Sequence, residues 1–582
     1  MNIGCRILVV SALLGLSTVG LAQNLDPTVV VSRDYEGKLM EVHKPKLEMA
    51  VPDSVLRFDL DFDYSVSDSP YKGAYDFTPY LLDMRPSPVI RRTGKLYLNA
   101  GAGYQLRPEM DLIWSPAFKS SAFRMNVFAR HRSYIGQYWD IAPVESDGSL
   151  VFDRAGEDMY RNGIDIDNRA GVDGRYDWKK GILRFNAAYS GLIQRDKAEG
   201  GVSKNFNAVD VAMSLNSKNR NDSVVGYMVT ADYRYADDAQ AAPESASLSE
   251  SVFGLNASVS ASLKKAGRLN LGVDYDMSGT EGYFNSYASL ISFTPHYVKV
   301  TKKWDIDLGA KVAKVLRADD MPDMYQHRIQ SVYPDVKVGL KAIPSVYLYA
   351  SVTGGPELKT YSSLLASDRR VNMSYAGLVP GMLDVEDESL RAVLGLDGKI
   401  TTRFSYSLKG GYVLYGNTPL QALTYIQAEE GGIYMPSVSY ARIGKAFAAL
   451  DCRLSSERFD MDASVEYSYF GYKDQFDGFL PASLAGDVSF RYNWMKRIYA
   501  GVSCEAAMSR KGFILDVTEE GGSYMDAVIP GYADLGVDLE FVFNRRISVW
   551  AKGWNLLGMT VQRSLFYAEK GPGFTVGFCL NL

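Results

Sequence analysis

Several stretches of the chain alternate apolar and polar residues with a period of two over about ten positions, the pattern of a β-strand with one apolar face. From Leu183 the outward apolar set is Leu183, Phe185, Ala187, Tyr189, Gly191 and Ile193, against Arg184, Asn186, Ala188 and Ser190. From Phe459 it is Phe459, Met461, Ala463, Val465, Tyr467 and Tyr469, against Asp460, Asp462, Ser464, Glu466 and Ser468. Leu269–Met277, Trp304–Val312 and Ala533–Phe543 repeat the pattern. Strands of soluble sandwiches are shorter, about five or six residues, whereas a strand crossing a bilayer needs about 9–11.

The breaks between strands are of two kinds. Short connections with small or basic residues fall at Lys119–Ser121, Lys179–Gly181, Lys218–Asp222, Lys264–Gly267, Lys302–Lys303, Ala342–Pro344, Lys399–Thr402, Ser455–Arg458, Lys496–Arg497 and Asn544–Arg546. Between them lie longer, polar, acid-bearing stretches around Gln137–Asp167, Ala236–Glu250, Pro356–Glu388, Asn417–Gly432 and Gly471–Ala482. This predicts an all-β, transmembrane antiparallel barrel with short periplasmic turns and long extracellular loops. Each short turn joins two strands, and one more strand at each end gives about 22, give or take two. Trp178, Trp304 and Trp494 lie beside short turns, where an interfacial girdle belongs.

Composition sharpens this reading. The 582 residues are 47% hydrophobic, yet no stretch of eighteen consecutive apolar residues follows the N-terminus, so no apolar helix spans a membrane. A closed barrel crosses without such a run, because its strands satisfy one another's backbone groups. Arg6, the apolar run Ile7–Leu16 and the small-residue exit Gly20-Leu21-Ala22 read as a secretory signal peptide over residues 1–22. An N-terminal membrane anchor is the alternative. The formal charge of −5 excludes a basic nucleic-acid surface as the main function. Three cysteines beyond the leader, Cys452, Cys504 and Cys579, sit on separate strands and form no disulfide framework. The first convincing barrel strand is Lys95–Tyr104, so residues 91–582 are assigned to the barrel.

The C-terminal stretches Trp554-Asn555-Leu556-Leu557-Gly558 and Pro572-Gly573-Phe574-Thr575-Val576-Gly577-Phe578 resemble the end of TonB-dependent receptor barrels. The resemblance is greatest to plug-lacking, Bacteroidetes-type members of that family. It implies an outer-membrane location in a Gram-negative envelope. The chain departs from the family in ending at Leu582 rather than an aromatic residue. The family's plug also exceeds a hundred residues, while only residues 23–90 precede this barrel; they are expected to be a periplasmic or lumen-occluding segment. Within it Thr28, Val29, Val30 and Val31 resemble the box that engages TonB. Leu56–Val66 alternates with Asp59, Asp61 and Asp63, but lacks the Gly and distal Glu of a calcium loop.

The inward set should include Arg184, Asp274, Asp276, Asp305, Asp307, Lys311, Asp460, Asp462, Asp534, Asp538, Glu540 and Lys552. Carboxylates in a water-filled pore favour cations; mixed charges also simply hydrate a wall or hold an internal segment. No metal-binding helix, phosphate loop or nucleophile elbow is present. His43, His131, His296 and His327 are far apart, and a hydrolase would need one of them beside a carboxylate and a Ser. The sequence therefore predicts no enzyme and no cofactor. It predicts solute passage or uptake across the outer membrane, with outer-membrane lipid, other envelope proteins or TonB as partners and no nucleic acid. A barrel this wide needs occluding, by residues 23–90, inward-folded loops or a partner. The alternatives are a scaffolding subunit of an outer-membrane assembly or export complex, and a soluble exported β-protein.

Overall fold

The computed structural model describes residues 95–118, 120, 122–196, 204–218, 224–239, 247–282, 285–317, 327–343, 345–371, 383–428, 431–518 and 521–582. The leader, the 23–90 segment, Thr28–Val31, Leu56–Val66 and His43 lie outside the described residues.

Alternation along the strands produces one closed antiparallel wall of 22 strands. Each wall strand pairs with its chain neighbours, from Leu96–Gly103 with Glu109–Trp114 round to Ile547–Trp554 with Gly573–Asn581. The last strand returns to the first, Tyr97 opposite Asn581 and Gly103 opposite Thr575, so the wall has no open edge. The ten expected short turns all fall between wall strands at the rim that carries Lys95 and the C-terminus, as at Asp177/Gly181, Val300/Trp304 and Trp494/Ile498.

The apolar set faces outward. Val209, Val211, Met213 and Leu215 are exposed on one strand, and Leu269, Leu271, Val273 and Met277 on another. Water does not explain such surfaces; a hydrocarbon solvent does. Cys452 and Cys504 share this face, while Cys579 is buried on the other. Small residues let the inner wall close: the Trp550 indole lies across Gly577 and donates to Asn99 Oδ1 at 2.6 Å.

One expected loop is a ladder. The polar stretch Asn417–Gly432 lies within Phe404–Ala428 and Gly431–Ser455, 25 residues each, paired from Phe404↔Leu454 to Ala428↔Gly431. At roughly 3.4 Å per residue this hairpin is far longer than a bilayer crossing requires. It continues because Leu420 and Leu423 are covered by other chain segments, which keeps the ladder dry. Strands Phe123–Trp139 and Tyr160–Asp177 likewise extend into the stretch expected as loop around Gln137–Asp167.

Candidate functional site

The long-loop end of the lumen is crossed by a cap of loops that turn inward. Its centre is the connection after strand Val346–Leu358, which carries the helix α1, Tyr361–Ser367. Thr360 starts the helix: its Oγ1 accepts from Ser363 N–H at 3.1 Å, and Ser363 Oγ accepts from Thr360 N–H at 2.9 Å. The helix buries Leu364 and Leu365 among Leu192, Phe206 and Leu248 on one side of the wall and Val438 half a circuit away. The connection therefore bridges opposite walls.

Polar groups anchor it. The buried Glu250 carboxylate accepts from Tyr361 N–H and, at 3.1 Å, from Ser362 N–H, where the helix N-terminus favours negative charge. Tyr361 Oη donates to Asp238. Arg369 and Arg370 reach Asp165 at 2.9 and 3.1 Å; Arg370 also donates to Tyr138 Oη at 2.9 Å and stacks 3.9 Å from the Tyr567 ring. Lys204 Nζ donates to the carbonyls of Arg369 (3.2 Å) and Val371. Asp368 accepts from Gln421 at 2.9 Å and Ser564 at 2.6 Å.

A second layer joins the hairpins Ile141–Ser146/Ser149–Arg154 and Arg510–Thr518/Gly521–Ile529 to the connection 555–572. Phe152, Phe479, Ile529 and Leu565 form its apolar centre. Arg563 sits between Glu505 and Asp534, 2.8 Å from each. Arg161 ties Asp196 (2.9 Å) to Asp140 (3.2 Å) and the Phe566 carbonyl (2.7 Å).

Burial sets the ionisation of these groups. It pushes Lys204 down to about 8 against the pull of Asp238, and pushes Glu250 up despite its donors. Burial would raise Asp165 too, but Arg369 and Arg370 outweigh it and hold that carboxylate below its ordinary range. Removing one partner from such a buried cluster leaves a charge with no water to replace it.

The residues expected in the lumen are distributed over separate patches. Asp305 meets Lys341 at 2.9 Å, and Asp307 meets His296 at 2.8 Å; His296 also approaches Asp335 at 3.3 Å. Lys311, on the same strand, is buried beside Gly355. On Tyr532–Val542, Asp534 meets Arg563, Glu540 meets Arg491 at 2.8 Å, and Asp538 crosses Gly501 with a buried Oδ2 that has no partner. Lys552 reaches Glu109 at 2.9 Å. Asp462 pairs with Arg453 at 2.8 Å, Asp460 accepts from Ser455 at 2.6 Å, and Asp274 accepts from Asn256. Arg184 stands on wall strand Gly181–Asp196 and Asp276 on wall strand Arg268–Glu281. Sequence reading missed the cap anchors Asp165, Lys204, Asp238, Glu250, Arg369 and Arg370. The only local signal was Thr360–Ser363 followed by Leu364-Leu365 inside an otherwise polar loop.

Among the described residues, neither His131 nor His327 has a hydrolase's arrangement of partners. His131 lies between Asn168 (2.7 Å) and Ser133 (3.1 Å) in the order orienter, base, nucleophile. Ser133 is buried, however, and its own N–H already donates to the Pro108 carbonyl at 3.1 Å, so it cannot serve an oxyanion. At His327 the order is wrong, since Ser389 Oγ donates to Asp387 at 3.0 Å rather than to the imidazole. Among the described residues no group of His, Cys, Asp or Glu is arranged to hold a metal ion.

Solved structures place this architecture. The chain superposes on the P. aeruginosa FpvA–pyoverdine complex with TM-score 0.60 at 10% identity, covering 84% of this chain and 71% of that one. The copper transporter OprC gives 0.58 at 12%, covering 84% and 81%. The FrpB iron transporter from Neisseria meningitidis gives 0.59 at 10%, again covering 84% and 81%. What is shared is the fold, a closed antiparallel barrel of 22 strands. OprC is a copper transporter and FrpB an iron transporter. No family model matches the chain, and no curated protein matches it in sequence.

Proposed function

We propose that this chain is a Gram-negative outer-membrane barrel that admits a solute, with its long loops outside the cell and its short turns in the periplasm. The carrying observation is the cap: a charged lumen is bridged by the chain's own connection, held by ion pairs and hydrogen bonds rather than by a β-ladder. A purely structural barrel has no need of an interior wall so heavily charged beneath a polar closure. The barrel's likeness to an FpvA–pyoverdine–iron complex, an iron transporter and a copper transporter supports uptake as the direction of travel. On this reading residues 1–22 are the leader, 91–582 the barrel, and Thr28–Val31 the segment offered to TonB. Occlusion at the extracellular end falls to the inward-folded loops, and residues 23–90 are a periplasmic or lumen-occluding segment.

Liposome swelling tests this. The full chain should admit small sugars slowly, and a chain with Arg369→Ala and Arg370→Ala should admit them much faster. Equal rates would defeat self-occlusion by the loops. Recovery of the chain from the periplasm without detergent would defeat the membrane assignment itself.

A further inference from the structure

The short-turn rim has a one-sided chemistry that solute passage does not require. Lys302–Lys303, Lys496–Arg497 and Arg545–Arg546 each place two exposed bases side by side in a turn. Other turns repeat the theme with Lys179–Lys180 and with Lys399 and Arg403. Among the described residues of the ten turns, Glu457 is the only carboxylate. The three pairs named first make no ion pair with any described residue, whereas charges just inside the wall are matched, as Lys341 is with Asp305 at 2.9 Å.

Each of these three turns also exposes an aromatic side chain next to its bases: Trp304, Trp494 and Phe543. Aromatic rings settle at the boundary between hydrocarbon and headgroups, which places the adjacent bases at phosphate depth. Lys496–Arg497 and Arg545–Arg546 lie on neighbouring hairpins, whereas Lys179–Lys180, Lys302–Lys303 and Lys399/Arg403 belong to three others elsewhere in the closed circuit. A docked protein covers one arc of such a rim; lipid surrounds all of it. The bases carry positive charge that nothing in the wall neutralises, so the complementary ligand is anionic.

We propose that the short-turn rim binds the headgroups of anionic phospholipids in the leaflet that surrounds it. The proposal rests on the membrane reading above and adds a lipid class to it. Bound anionic lipid would fix the depth of the barrel and hold its periplasmic turns against the membrane surface.

Spin-label resonance provides the test. The full chain is reconstituted in phosphatidylcholine vesicles containing a trace of spin-labelled phosphatidylglycerol or spin-labelled phosphatidylcholine, and the motionally restricted fraction of each is compared. Phosphatidylglycerol should be preferred by roughly fivefold at low ionic strength, with the preference shrinking in high salt. A chain carrying Lys302→Gln, Lys303→Gln, Lys496→Gln, Arg497→Gln, Arg545→Gln and Arg546→Gln should keep its heat-modifiable gel mobility and lose most of the preference. Equal restriction of both lipids by the native chain overturns the proposal, as does a preference that survives the six substitutions. Flotation separates the two readings: a chain that does not float with vesicles defeats the membrane assignment too, while one that floats without preference defeats only this proposal.

Discussion

Arg370→Ala is the sharpest perturbation of the cap. In the closed arrangement this buried guanidinium meets Asp165 at 3.1 Å, donates to Tyr138 Oη at 2.9 Å and lies 3.9 Å from the Tyr567 ring centre. Breaking a buried charge pair costs about 3–5 kcal/mol. Arg369 remains 2.9 Å from Asp165, so the carboxylate keeps one partner and the low end of that range applies. About 3 kcal/mol shifts the ratio of closed to open cap by about a hundredfold. Hydrogen exchange of the amides from Tyr361 to Val371 should accelerate by about that factor. Amides of the wall, such as Val413 in its long ladder, should exchange as before. Arg370→Lys keeps the charge but loses the planar stacking on Tyr567, and should cost only about 1 kcal/mol. The reasoning fails if neither variant changes exchange in the cap, or if wall and cap accelerate together.

Lys204 makes closure depend on pH. Its ammonium ionises near 8 when buried and near the ordinary lysine value when the cap is open, so the penalty for burying its charge is present below about 8 and fades as pH rises above it. Tyr361 is pushed the other way by burial, so closure loosens again once an exposed tyrosine would ionise, near 10. Cap exchange, corrected for intrinsic rates, should therefore slow between pH 8 and 10, and Lys204→Met should flatten that window. Gly577→Ala puts a Cβ 2.3 Å from Trp550 Cζ2 and 2.4 Å from the Ala100 carbonyl, at the seam where last and first strands meet. It should destabilise the barrel by about 1–3 kcal/mol, read as lower heat-modification temperature on gels. In the Arg370→Ala background, changing Asp305 and Asp307 to Asn should lower the cation-to-anion permeability ratio in planar bilayers. An unchanged ratio would mean that the paired carboxylates on this strand do not set selectivity.

The wall was legible because a strand's two faces are written in alternate residues. Phe459–Tyr469 and Ala533–Phe543 show their apolar faces without any knowledge of neighbours, and Lys302–Lys303 or Asn544–Arg546 show where the chain reverses. The inward side of Asp305, Asp462 and Asp538 follows from the same parity. Their partners do not. Arg491 meets Glu540 from 49 residues away, and Lys552 meets Glu109 across the closing seam from 443 away. Long loops carry no periodicity, so nothing in the sequence showed that Asn417–Gly432 continues as ladder or that residues 361–371 fold inward.

Sequence alone determined the architecture, the strand number and the rim of basic turns, because those depend on local alternation and local turn chemistry. Only the tertiary structure decided how the barrel is closed. Closure of the cap joins Asp165, Lys204, Asp238 and Glu250 on one wall to Arg369, Arg370 and Tyr361 on a connection more than a hundred residues later. Each of those side chains is an ordinary polar residue until burial removes its water. What makes them a latch is the company the fold gives them.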